Sequence, residues 1–152
     1  MANQTKTFQG RPVIAGSIEK GEAVVSRQGV NTLASFQKSA LLRKKSVICS
    51  DQNNPDLYQK ELSGKVLCLP QTIGSTTGGM VLYTICSLGI APKAMLFSES
   101  IDSLAAAGVI LSEVWTDGTI VAVDRLGDTF LEAVRDGALI SVRPDGTVTV
   151  EG

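Results

Sequence analysis

KVLCLPQTIGSTTGG, residues 65–79, joins a short apolar run to a glycine-rich loop, and the fold prediction starts from it. Residues 65–69 predict a buried strand, and residues 80–88 predict a helix that ends before Gly89 and Pro92. A glycine-rich turn between a strand and a helix points backbone N–H groups at one spot, where the helix N-terminus favours negative charge. We therefore expect an α/β chain in which residues 74–79 bind an anion, stabilise a serine alkoxide or only start a helix.

Strands and helices alternate after this loop. A helix is predicted over residues 100–107, with Ser100 as N-cap and Gly108 as its end. The Pro144-Asp145-Gly146 turn predicts a hairpin. The predicted strands are residues 94–97, 109–111, 119–123, 138–142 and 147–150, and a short amphipathic helix is predicted over residues 129–135.

The first third indicates short strands broken by glycine, at residues 8–14 and 23–26. Residues 31–36 and 47–50 are also predicted to be extended, while residues 39–45 are ambiguous between helix and strand. A β-rich front and a βαβαβ middle predict one domain, residues 1–152, in which sheets pack together and helices cover one side.

Composition excludes several functional classes. Of 152 residues, 43% are hydrophobic and 19% charged, as in folded proteins. The net charge is −1 and the longest basic run is residues 43–45, so no nucleic-acid partner is expected. No run approaches the roughly 18 apolar residues of a membrane span, and the N-terminus has no apolar signal core, so no membrane partner and a cytoplasmic location are expected.

The three cysteines, Cys49, Cys68 and Cys86, are 19 and 18 positions apart. This spacing fits neither a disulfide framework nor a zinc or iron–sulfur motif. We therefore expect buried thiols and no metal bound by this chain alone.

The glycine-rich loop does not match the common nucleotide-binding motifs. Met80 and Val81 stand where a phosphate-binding P-loop needs lysine and a hydroxyl residue, and no Gly-x-Gly-x-x-Gly pattern occurs. One interpretation is that Thr76 or Thr77 caps the helix and the glycines allow a tight turn. A cap needs only one hydroxyl, however, so three hydroxyls and three glycines also suggest that something approaches the backbone closely.

The second interpretation is chemical, because the chain contains no histidine. Ser75 could act as a base only if N–H donors stabilised its alkoxide, and the amides of residues 76–79 with the following helix could do so. Ser75 is the candidate catalytic residue. The candidate substrate-binding residues are Gly74, Thr76, Thr77, Gly78 and Gly79.

Acidic residues follow the strand ends and could form an acid–base pair or a metal site, but scattered acids in loops are usually solvated cap or turn residues. Three arginines could bind a substrate carboxylate or form surface ion pairs. These acidic residues are Glu99, Asp102, Glu113, Asp117, Asp124 and Asp128, and the arginines are Arg11, Arg27 and Arg125.

Together these segments resemble the small, swivelling-domain subunit of aconitase X. The resemblance lies in residues 10–16, 21–26, 56–58, 63–70, 74–79, 89–94 and 107–110. It implies the three-layer β/β/α swivelling domain of the aconitase superfamily. It also implies a heterodimer with a large subunit that holds an iron–sulfur cluster on its own cysteines, so that the small subunit is inactive alone.

The activity implied by the resemblance is removal of water from a hydroxy acid, with Ser75 as the base and the cluster as Lewis acid. Two substrates are implied, cis-3-hydroxy-L-proline and mevalonate 5-phosphate. Ile73 stands where the family pattern commonly has a basic residue, which disfavours a phosphorylated substrate and favours cis-3-hydroxy-L-proline. The alternative is a non-enzymatic domain that binds an anion or a phosphorylated metabolite.

Overall fold

The computed structural model describes residues 4–74 and 77–152, and its centre is a sheet of parallel strands. The strands are β1 (Thr5–Gln9), β2 (Arg11–Ile14), β3 (Ile18–Val25), β4 (Val30–Asn31), β5 (Val66–Leu69), β6 (Thr72–Ile73), β7 (Ala94–Phe97), β8 (Val121–Asp124), β9 (Leu139–Val142) and β10 (Thr147–Glu151). The helices are α1 (Thr32–Leu41), α2 (Gly78–Ser87), α3 (Ser103–Trp115) and α4 (Asp128–Ala133).

Strand β3 belongs to two sheets. Its C-terminal half, from Ala23, pairs in parallel with β5, which continues to β7 and β8, and β2 closes this edge in antiparallel register. Its N-terminal half pairs in antiparallel register with β9, which continues to β10 and β1. A short separate ladder joins β4 and β6.

Side chains of the parallel strands alternate between two hydrophobic cores, and β5 and β7 are buried on both faces. One core is shared with α2 and α3, and the other with β9, β10 and α4. Leu67, Leu69, Met95 and Phe97 enter the first core, and Val66, Cys68, Ala94 and Leu96 enter the second. The result is an antiparallel sheet, a parallel sheet and a helical layer, which confirms the predicted three-layer β/β/α fold.

Several predicted elements are confirmed. Strand β7 has the predicted bounds, and β5 begins one residue later than predicted. The hairpin of β9 and β10 forms around the Pro-Asp-Gly turn, with the Gly146 amide donating to the Arg143 carbonyl at 3.0 Å. Helix α2 begins two residues earlier than predicted.

Three predictions are wrong. Residues 31–36 are not extended: Asn31 caps α1, with its side chain accepting from the Ala34 amide at 3.0 Å. Residues 109–111 are not a strand, because α3 passes through Gly108 and ends only at Trp115. The N-cap of this helix is Asp102 and not Ser100. Among the described residues, no helix is both long and apolar enough to cross a bilayer.

Candidate functional site

The glycine-rich loop lies beyond the carboxyl end of β5. After Leu69 the chain forms β6, which pairs with β4 directly before α1, and it enters α2 at Gly78. Ser75 and Thr76 lie outside the described residues, so the roles predicted for them stay predictions. The described part of the loop consists of Gly74 and Thr77, with Gly78 and Gly79 in the first turn of α2.

Gly74 is the residue at which the chain turns out of β6. Its φ of +108° disfavours any residue with a side chain, and an added Cβ would lie 2.8 Å from atoms of the Asn31 side chain. Because Asn31 also caps α1, the start of the loop is fitted closely to the N-terminus of that helix.

Gly78 and Gly79 are buried, and the protein itself approaches them closely. An added Cβ on Gly78 would overlap the Thr32 hydroxyl, and one on Gly79 would lie 2.5 Å from the Leu104 carbonyl oxygen. Gly108 makes the reciprocal contact, since its Cβ would lie 2.6 Å from the Gly79 carbonyl oxygen. Close helix packing therefore explains why both residues are glycine, and substrate binding by their amides stays a prediction.

The N-terminus of α2 carries positive potential. Thr77 occupies the N-cap position with helical angles, φ −80° and ψ −3°, and its side chain does not cap the helix. The first amides of a helix have no acceptor within it, and α2 has no acidic residue in its first turn. This helix end favours an anion or an alkoxide beside it, and the binding of either one there stays a prediction.

A small cleft of about 110 Å³ adjoins the loop. Among the described residues, its only charged lining side chain is Asp102. Asp102 accepts hydrogen bonds from the Thr72 hydroxyl and from the amides of Leu104 and Ala105, at 3.0 Å and 3.1 Å. The remaining lining residues are Thr32, Thr72, Ile73, Gly74, Gly78, Gly79, Leu104 and Ala105. Ligand pockets are typically several hundred Å³, so this cleft is too small to enclose a metabolite without further walls.

Asp124 pairs with Arg11 instead of entering this cleft. Its buried carboxylate accepts from Arg11 Nε at 2.9 Å, from an Arg11 terminal nitrogen at 2.6 Å and from the Ile101 amide at 2.8 Å. Burial raises the pKa of Asp124, but these hydrogen bonds and the charge of Arg11 outweigh it, and the net pKa is lowered. The other two arginines are also engaged elsewhere: Arg27 donates to the Val134 carbonyl at 2.7 Å and Arg125 to the Ser100 hydroxyl at 3.0 Å.

The cysteines are buried thiols, as predicted. Burial is the main cause that raises the pKa of Cys49 and of Cys68, which keeps both thiols protonated. Cys49 and Cys86 lie in the core beside the helices, and Cys68 lies in the other core. Within the described residues, no group of three or more His, Cys, Asp or Glu side chains could hold a metal ion. The three cysteines therefore do not fit the ligand set of an iron–sulfur cluster. The assignment of such a cluster to a partner subunit stays a prediction.

A larger cavity of about 550 Å³ lies between the end of α1 and residues 44–59. Lys38, Lys44 and Lys45 line it, whereas the described loop residues Gly74 and 77–79 do not. The helix dipole explains lysines beside a helix C-terminus. The described residues that line this cavity include none of those that line the small cleft, so the two are separate.

The family model that matches this chain is described as the aconitase X swivel domain and covers residues 7–150, which include the whole glycine-rich loop. Two curated relatives are each 31% identical. The phosphomevalonate dehydratase small subunit of Methanosarcina acetivorans aligns over 135 residues, 89% of this chain and 83% of the relative. That of Methanocella arvoryzae aligns over 137 residues, 90% of this chain and 92% of the relative.

The fold is also similar to a solved structure, the crystal structure of Thermococcus kodakaraensis aconitase X in its holo-form. The TM-score is 0.79 and the sequence identity 27%, over 95% of this chain and 98% of that chain. Sequence and fold therefore point to the same family.

Proposed function

The chain belongs to the aconitase X swivel domain family, and from that premise we propose that Ser75 is the base of a dehydratase whose active site is shared with a large subunit. It is the small subunit of an aconitase X-type dehydratase. The proposal extends this to the residue that takes the proton, to the shared site and to the substrate.

The position of the loop at the N-terminus of α2 is the observation that carries the proposal. Gly74 turns the chain directly before Ser75, and the helix that starts at Gly78 directs its first amides toward this end. Amides and the helix dipole would stabilise the Ser75 alkoxide, as oxyanion-hole donors stabilise negative charge. No histidine in the chain competes for this role.

In the proposed elimination, the Ser75 alkoxide takes a proton from the substrate carbon adjacent to the one that bears the hydroxyl. The electron pair of the broken C–H bond forms the C=C bond, the C–O bond breaks, and the hydroxyl leaves with its bonding pair as hydroxide. This hydroxide and the proton taken by Ser75 together make up the water that is removed. Ser75 is then a neutral alcohol and returns its proton to solvent before the next turnover.

The proposed sharing of the site follows from the size of the cleft. About 110 Å³ holds a few water molecules, and the described residues that line it offer one carboxylate and no cation. A hydroxy acid needs a counter-charge for its own carboxylate. The large subunit would supply this cation, the remaining walls and the iron–sulfur cluster, so the small subunit alone would be inactive.

We propose cis-3-hydroxy-L-proline as the substrate. Ile73, which directly precedes Gly74, is an apolar side chain that is 49% exposed beside the cleft. A phosphate group favours arginine or lysine at such a position, whereas a proline ring can contact an apolar side chain. The second candidate is mevalonate 5-phosphate, which the names of the curated relatives favour.

The test is co-expression of the chain with a candidate aconitase X large subunit, sought first in the neighbouring genes, followed by anaerobic purification. The complex is then assayed for dehydration of cis-3-hydroxy-L-proline and of mevalonate 5-phosphate. We expect a stable complex that dehydrates cis-3-hydroxy-L-proline, and no turnover by either subunit alone.

The other outcomes contradict separate parts of the proposal. Turnover of mevalonate 5-phosphate alone would overturn the substrate and leave the role of the subunit intact. Failure to form any complex would overturn the shared site. An anion-dependent rise in the melting temperature of the isolated chain would then support the alternative of a binding domain.

A further inference from the structure

We propose that Thr72 and Asp102 are a positioning pair that holds the start of the catalytic loop. This inference rests on the proposed role of Ser75 and adds two residues to the machinery that supports it. Neither residue would touch the reacting atoms, because each acts through the chain segment that leads to Ser75.

Thr72 is placed to control where the loop begins. It is the first residue of β6, only 9% exposed, and it precedes Gly74 by two positions. The ladder between β4 and β6 contains two residue pairs, and the Val30 amide also donates to the Gln71 carbonyl at 2.9 Å. The Thr72 hydroxyl adds a side-chain tie by donating to one oxygen of Asp102.

Asp102 uses its two carboxylate oxygens for different tasks. Oδ2 accepts from the Leu104 and Ala105 amides and so caps α3, while Oδ1 accepts from Thr72, thirty positions earlier in the chain. An N-cap needs only one acceptor, which Ser, Thr or Asn would also provide. The second oxygen therefore has a role that capping does not explain, namely to join α3 to the strand that leads into the loop.

The segment that carries Asp102 is itself fixed to the core. The Ile101 amide donates to the buried Asp124 carboxylate at 2.8 Å, and that carboxylate is held by Arg11. Nearer to β7, the Ser98 amide donates to the Leu69 carbonyl at 3.0 Å. A continuous series of contacts thus runs from the core to Thr72, and displacement of a catalytic group by about 1 Å can reduce turnover by as much as 100-fold.

The test compares three variants in the co-purified complex with the large subunit. Thr72→Val removes the hydroxyl at nearly constant volume and leaves the α3 cap intact, whereas Thr72→Ser keeps the hydroxyl. Thr116→Val is the matched control, because Thr116 donates to the Ser112 carbonyl at 2.6 Å at the opposite end of α3. For each complex, kcat, KM and melting temperature are measured on the substrate that the wild-type complex dehydrates.

We expect Thr72→Val to lower kcat by 10- to 100-fold on the basis of the cost of misplacing a reacting group. KM should change by less than about twofold if substrate binding does not depend on this contact. Thr72→Ser should restore most of the turnover, and Thr116→Val should lose melting temperature without a comparable loss of kcat. Wild-type kcat in Thr72→Val, or an equal loss in Thr116→Val, would overturn the proposal.

A second measurement does not depend on activity. Hydrogen exchange of the peptide that covers residues 70–80 should be faster in Thr72→Val than in the wild-type, Thr72→Ser and Thr116→Val complexes. Unchanged exchange in Thr72→Val would overturn the positioning role, whether or not the complex is active. A wild-type complex that is inactive on both substrates would contradict the proposed function, and not the positioning role.

Discussion

At the scale of single residues, Asp124 shows why the position of an acidic residue matters more than its presence in the sequence. Six acidic residues were candidates for a site, and the structure buries this one completely against Arg11 and the Ile101 amide. Its lowered pKa means that the folded state favours the ionised carboxylate. Asp124 is therefore a structural anchor for the segment that enters α3.

The sign of its pH dependence follows from this direction. The stabilisation by Asp124 is complete above the ordinary aspartate pKa of 3.8 and is lost as the pH falls through that value toward the lowered one. We expect Asp124→Asn to reduce the free energy of unfolding at pH 7 by roughly 1.5–3 kcal/mol, the range for hydrogen bonds to a charged group. Urea denaturation of the wild-type protein and of Asp124→Asn, at pH 7 and at pH 3.5, measures this difference in the free energy of unfolding.

The difference between the two proteins should shrink at pH 3.5, because below pH 3.8 the unfolded wild-type chain binds a proton at this carboxylate more readily than the folded protein does. If the difference stayed constant from pH 7 to pH 3.5, the ionised form of Asp124 would not be the source of the stabilisation.

The glycines of the loop show the limit of sequence analysis at this scale. A surplus of glycine indicated correctly that something approaches the backbone closely. The sequence could not show that Thr32 and the backbone of α3 make this approach at Gly78 and Gly79. These contacts join residues 25 to 46 positions apart, and no local pattern encodes them.

At the scale of secondary-structure elements, the crossing of α2 and α3 depends on Gly79 and Gly108. We expect Gly108→Ala to destabilise the protein although alanine is favoured in helices by about 1 kcal/mol. The added methyl group would lie 2.6 Å from the Gly79 carbonyl oxygen, and relieving such overpacking costs about 1–3 kcal/mol. Thermal unfolding of the wild-type protein and of Gly108→Ala shows whether the substitution lowers or raises the melting temperature.

Ala107→Gly is the matched control, because Ala107 is exposed on the same helix and should lose only its helix propensity, about 1 kcal/mol. A higher melting temperature for Gly108→Ala than for wild type would contradict the close helix crossing.

Elements were predictable where the local pattern and the tertiary environment agree. The strands β5 and β7 are runs of four apolar residues, and both faces of the parallel sheet bury them. Helix α3 was predicted to end at Gly108, since a glycine after a short apolar helix is the usual stop signal. Here the glycine serves the contact with α2, and the helix continues for seven more residues.

At the scale of the whole molecule, the three layers bring the carboxyl end of β5, the N-termini of α1, α2 and α3, and the small cleft together. The loop motif and its strand–helix setting were predictable from residues 65–79. The selection of Asp102 from six acidic residues was not, because it depends on a contact with Thr72 across thirty positions. An incomplete site at the surface of a complete fold is the arrangement expected of a subunit that works with a partner.

The most direct test of the account is the turnover of Ser75→Ala in the assembled complex with the large subunit. We expect kcat to fall roughly 10²- to 10⁴-fold, the usual contribution of a general base, while the complex elutes unchanged in gel filtration. Ser87→Ala, at the exposed far end of α2, should keep full turnover. Near-wild-type turnover by an intact Ser75→Ala complex would remove Ser75 from the mechanism and contradict the central claim.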